Sequence, residues 1–182
     1  EGDLPAADAA LSRAIEIVEQ HRGSDDHALV ALLPLQARLR ARQDRNEQAE
    51  QLYLRSIDIV GDAPEFAEVR ARHQQMLARF YLKQARATQA EALVRQVLNS
   101  PAAASIPPAQ HADLLDTLAR SLQALERYEE AETSFQQALA LDPGDMDPRF
   151  EEIRVHHAEL LRAAARESGT APEPEPIPEP KS

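Results

Sequence analysis

The chain has 182 residues, 43% of them apolar, with five Gly, no Trp and 4% aromatics; this is enough for one core, and its Ala, Leu, Arg, Glu and Gln content favours helix over sheet. A formal charge of −11 without any Lys/Arg-rich block excludes nucleic acid as a partner, and the lack of an apolar run of about 18 residues excludes membrane contact. The absence of Cys excludes disulfides and thiolate metal sites but leaves the compartment of a soluble chain open between cytoplasm and periplasm.

In chain order, helices are predicted at 5–21, 26–42, 46–60, 64–84, 88–99, 108–125, 129–141 and 147–167. Asp62-Ala-Pro64, Ser105-Ile-Pro-Pro108 and Asp142-Pro-Gly-Asp145 separate them, because Pro suits a first helical turn and breaks what precedes it. Pro34 falls inside an apolar pattern, where it removes a backbone hydrogen bond, so a kink or a late helix start is expected. Residues 168–182, SGTAPEPEPIPEPKS, alternate Pro with Glu and read as a disordered, extended linker.

These helices repeat. Ala49, Ala90 and Ala131 stand at steps of 41 residues, with Ala7 one step of 42 earlier, and an acid follows each: Asp8, Glu50, Glu91 and Glu132. Four positions after each Ala comes a larger apolar residue, Leu11, Tyr53, Val94 or Phe135, which continues one stripe at helical spacing. Upstream, Ala37, Ala78 and Ala119 keep the same step on a second helix, where a small side chain lets two helices approach closely.

The sharpest copy, TLARSLQALERYEEAETSFQQALALDPGD (117–145), has Ala119, Tyr128, Ala131, Phe135, Ala138 and Pro143 in place and resembles the tetratricopeptide repeat. A period of 41–42 is similar to the long variant of kinesin light chains and many bacterial multidomain proteins. The resemblance implies an all-α fold, a right-handed α-α solenoid of helical hairpins with a C-terminal capping helix. It divides the chain into an orphan second helix of a truncated first repeat (1–22), hairpins at 26–61, 64–100 and 107–142, a cap at 147–167 and the linker. Glu1-Gly2-Asp3 aligns with the turn inside a hairpin, so the stripe Leu4, Leu11, Ile15 and Val18 is expected to lack a neighbour and to favour a homodimer. Phe150, Ile153, Val155, Leu160 and Leu161 read as a cap rather than a repeat copy.

No nucleophile with its base and no phosphate-cradling Gly loop is present, so no enzyme and no cofactor is expected. Glu152, His156 and Glu159 share a helix face beside His157, but a solvated polar face explains them better than a metal site.

In the family, ligands lie along the concave surface formed by the first helix of each hairpin. One position past the small Ala stand Arg38, Arg79 and Arg120 in identical register, and neighbouring inner positions add Arg42, Arg72, Gln75, Lys83, Asp116 and Gln123. The expected site is therefore a basic groove holding a peptide or protein segment, possible occupants including acidic segments such as the chain's own tail. The family's carboxylate clamp uses Asn residues that are missing here, which argues against chaperone C-termini. Two alternatives stay open: the arginines serve only solvation and pairing, such as Asp116 with Arg120 at i,i+4, or the chain is an architectural or regulatory module of a larger protein without a groove ligand.

Overall fold

The computed structural model describes residues 4–144 and 147–167, the side chain of residue 102 excepted. Among these residues the chain forms α-helices and 3₁₀ turns and no strand. The helices are α1 (Leu4–Arg22), α2 (Leu29–Arg42), α3 (Asn46–Val60), α4 (Ala67–Lys83), α5 (Ala87–Leu98), α6 (Pro108–Ala124), α7 (Tyr128–Leu139) and α8 (Pro148–Glu167). The predicted linker 168–182 lies outside the described residues.

Each helix packs on the next in sequence, and α2, α4, α6 and α8 also touch one another in turn. The result is an α-α solenoid in which these four helices make the inner layer, while α1, α3, α5 and α7 lie outside it. Small residues set the spacing: Ala37, Ala78 and Ala119 on the inner helices and Ala49, Ala90 and Ala131 on the outer ones are all fully buried in one core. Tyr53, Val94 and Phe135 fill the volume that those alanines leave. Ala7 occupies the same column but is exposed, because no helix among the described residues covers that face of α1. Farther along the same stripe α2 does reach α1, and Ile15 is buried against Leu29 and Leu33 with Val18 beside them, so the stripe expected to lack a neighbour lacks one only in part.

The turn inside each hairpin is the same structure three times. Asp44, Ala85 and Glu126 adopt the left-handed conformation at φ 59°, 57° and 60°. One residue on, the N–H groups of Arg45, Arg86 and Arg127 donate to the carbonyls of Arg40, Tyr81 and Leu122, each at 2.9 Å, which closes a Schellman-type helix end. Between hairpins the chain uses 3₁₀ turns at Pro64–Phe66 and Pro101–Ser105 and, after α7, an Asp142 side chain that accepts from the Gly144 N–H at 2.9 Å.

One boundary, the course of one helix and the register of another differ from the sequence expectation. α2 starts at Leu29 instead of 26, because Asp26 turns its carboxylate onto the Ala28 N–H at 2.8 Å and holds that stretch as a turn. The helix then runs unbroken through Pro34, whose ring is buried. α8 stands in the place of a further first helix, packed on α6 and α7, with Ile153 and Leu160 one step of 41 beyond Ala112 and Ala119 and buried. Bulky residues in the small-residue columns hide that register from the sequence.

Candidate functional site

The inner layer presents the predicted residues on three successive helices. On α2, Arg38 and Arg42 are exposed. On α4, Arg72 is exposed and paired with Glu68 one turn earlier at 2.7 Å, Gln75 is buried, Arg79 is half-buried, and Lys83 is exposed. On α6, Arg120 and Gln123 are half-buried. Arg72, Gln75 and Arg79 meet Gln110, Asp113 and Arg149 around a cleft of about 340 Å³ between α4, α6 and the start of α8. Arg120 and Gln123 face His156 and Glu159 across a second cleft of about 340 Å³. Arg38, Arg42 and Lys83 border neither cleft.

The carboxylates of α6 shape the electrostatics. Arg79 lies 3.8 Å from Asp113 and 4.0 Å from Asp116. Burial raises the Asp113 pKa above its ordinary value, and the pull of Arg79 and Arg149 offsets this only in part. Asp116 is 1% exposed and meets the His156 Nδ1 at 2.7 Å. The Asp116–Arg120 pair of the alternative reading is therefore not formed among the described residues, since that carboxylate turns sideways to α8 and Arg79. Among the described residues, no hydrogen bond or ion pair engages Arg38 or Arg120. His156 spends one ring nitrogen on Asp116 and lies 4.0 Å from Glu152 through the other; the described residues contain no group of three ligands fit for a metal ion.

A second arginine column went unrecognised in the sequence. Arg45, Arg86 and Arg127 also recur at steps of 41, in the turns inside the hairpins, and each reaches the acid column of the preceding outer helix. Arg86 grips Glu50 through two bonds of 2.6 and 2.8 Å, and the Tyr81 hydroxyl donates to the same carboxylate at 2.8 Å. The guanidinium also lies over the Tyr81 ring, 4.3 Å from its centre. Hydrogen bonding to Arg86 holds Glu50 below the usual carboxylate range, and burial plus this carboxylate push the Tyr81 hydroxyl up to about 12.

The other rungs vary on the same theme. Arg127 donates to Glu91 at 2.7 Å, with Arg95 on the same carboxylate at 2.9 Å. Asp8 is met by Arg45 at 3.7 Å and by Arg40 at 2.9 Å. The column Arg40, Tyr81, Leu122, irregular by sequence, thus supplies a second donor wherever its side chain can donate. Glu132, the last acid, has His157 at 3.9 Å instead of an arginine. The signal that could have revealed this ladder was the shared period of both its columns.

The tetratricopeptide repeat family model matches residues 112–145, which hold most of α6 and all of α7. Among the solved chains that match is BtubC (BKLC) from P. vanneervenii, 19% identical, with a TM-score of 0.73 over 93% of this chain and 70% of that one. No curated protein matches the sequence. No helix among the described residues is long and apolar enough to cross a membrane. Residues 112–145 thus match the tetratricopeptide repeat, and the Ala columns of that segment recur through α2–α7 in a solenoid of helical hairpins.

Proposed function

We propose that the chain is a non-catalytic scaffold whose inner layer takes up an acidic segment of a partner protein. Tetratricopeptide repeats mediate protein–protein interaction, and what gives that role a direction here is the inner arginine column. Arg38 and Arg120 have no ion-pair partner among the described residues, whereas the arginines of the hairpin turns are committed to carboxylates of the neighbouring hairpin. In a protein of net charge −11, unpaired guanidinium groups along one surface are an attraction point for carboxylates. Arg42 and Lys83 widen the basic strip, and Gln75 and Gln123 place amides beside it.

The test uses a fluorescein-labelled peptide of alternating Glu and Ala, long enough to cross two inner helices, followed by anisotropy at low salt. Exchange of Arg38, Arg79 and Arg120 for Glu is expected to abolish its binding while the protein still unfolds cooperatively. Binding that survives the triple exchange rejects the groove and leaves an architectural module without a groove ligand.

A further inference from the structure

The cleft between α4 and α6 contains an unusual set of atoms. Gln75 Nε2, Arg79 Nε and Gln110 Oε1 are buried side-chain atoms without a hydrogen-bond partner among the described residues, and all three residues line this one cleft. Gln75 and Gln110 are only 6% and 7% exposed, so neither amide can turn out to water as a surface side chain would. The orientation of Gln110 is determined, because its Nε2 donates to the Glu68 carbonyl at 3.1 Å and so leaves Oε1 as the free end. A buried donor or acceptor left unpaired opposes folding. Two donors and one acceptor gathered in one polar cleft mark a place built for a ligand that supplies their counterparts.

The mixture narrows the ligand. An isolated carboxylate would satisfy Gln75 and Arg79 but would face Gln110 Oε1 and the Asp113 carboxylate, which are both acceptors. A simple cation would meet the guanidinium of Arg79. A trans peptide group points its acceptor and its donor in opposite directions, which suits donors on α4 and an acceptor on α6, and a volume of about 340 Å³ admits a short stretch of chain. We propose that this cleft anchors one main-chain peptide group of the acidic segment, with Gln75 and Arg79 donating to its carbonyl and Gln110 accepting from its N–H. The exposed Arg72 at the rim then takes the adjacent acidic side chain. This rests on the groove reading and adds to it a fixed point that sets the register of the bound chain.

The experiment uses the same Glu-Ala peptide with two changes. Gln75→Met removes the amide at nearly constant volume, and a second peptide carries N-methyl groups on its Ala amides, which removes donors without altering charge. Gln75→Met is expected to weaken binding about tenfold while the thermal midpoint stays level or rises, because an unsatisfied buried amide has been removed. The N-methylated peptide is expected to bind the unaltered protein about tenfold more weakly than its parent. A midpoint lowered by Gln75→Met, or equal affinity for the two peptides, overturns the anchor. Unchanged affinity of Gln75→Met, alongside loss of binding in the triple Glu variant, overturns the anchor and leaves the groove standing. Failure of the unaltered protein to bind the Glu-Ala peptide removes both.

Discussion

Arg45, Arg86 and Arg127 recur at the same step as Arg38, Arg79 and Arg120, yet the two columns have opposite surroundings. The first lies in the hairpin turns, each guanidinium against the acid of the preceding outer helix. The second lines the inner layer, where, among the described residues, only Arg79 has carboxylates within ion-pair distance, at 3.8 and 4.0 Å. A repeated residue type therefore carries two meanings. Where the period also repeats a partner of opposite charge within reach, the column joins one repeat to the next. Where the period repeats the charge alone, the column is left largely without a partner built into the fold.

The sharpest way to break this distinction is to remove a carboxylate from the outer ladder. Glu50→Ala deletes the acceptor of three hydrogen bonds, two from Arg86 and one from Tyr81, that tie the first hairpin to the second. The pair is partly exposed, so solvent screening keeps the expected loss to about 1–2 kcal/mol. In a thermal melt that corresponds to a midpoint lower by about 2–4 °C per kcal/mol for a chain of this size. Affinity for the Glu-Ala peptide is expected to stay the same. A change in affinity comparable to that of an inner arginine exchange would mean that the two columns are not separate devices.

The columns also differ in how acid affects them. Glu50 has a pKa below its ordinary 4.5 because Arg86, foremost, stabilises the carboxylate. Its contribution is complete above the unfolded value and is lost as the pH falls through the lower folded value. Asp113 in the inner cleft has the opposite sign: burial raises its pKa, so its ionised form opposes folding, and stability is regained as the pH falls toward its ordinary 3.8. Midpoints recorded from about pH 6 to about pH 3 should find Glu50→Gln less stable than the unaltered chain at the upper end, with the gap closing at the lower. Asp113→Asn should be the more stable at the upper end and converge from the other side. Parallel curves for either variant would refute the assignment of that carboxylate.

Most of the fold was legible because close helix approach demands small residues at fixed places. Ala37, Ala78 and Ala119, together with Ala49, Ala90 and Ala131, carried that demand openly. α8 was half legible: Ile153 and Leu160 announce a buried face but stand where α4 and α6 have Ala, so its register was concealed. The 3₁₀ turn at Pro101–Ser105 was not legible, since a run of Ala after Pro has no turn signature of its own. The inner residues could be named from their column, but their pairing could not. Whether Asp116 serves Arg120 or His156 depends on which neighbouring helix lies closer, and two residues at i,i+4 say nothing about that. The outer ladder was legible in principle, and was missed because its two halves lie in different elements of successive repeats.

The smallest effect belongs to the turn that aims the outer column. Ala85 holds φ 57°, a conformation in which its Cβ crowds the backbone, directly before Arg86. Ala85→Gly relieves that strain, but it also frees the unfolded chain, which offsets part of the gain. The expected net result is a stabilisation of about 0.5 kcal/mol, smaller than the relief alone. Asp44, at φ 59°, should gain less from the same exchange, since Asp tolerates this conformation better than Ala. Combining Ala85→Gly with Glu50→Ala then asks whether the turn acts only on the backbone or also aims the guanidinium. If the Arg86 N–H bond to the Tyr81 carbonyl at 2.9 Å keeps the side chain trained on Glu50, the two exchanges are additive within about 0.5 kcal/mol. A larger departure would show that the Gly turn lets Arg86 swing away, and the outer column would then owe its partners to the left-handed residue before it as much as to its own charge.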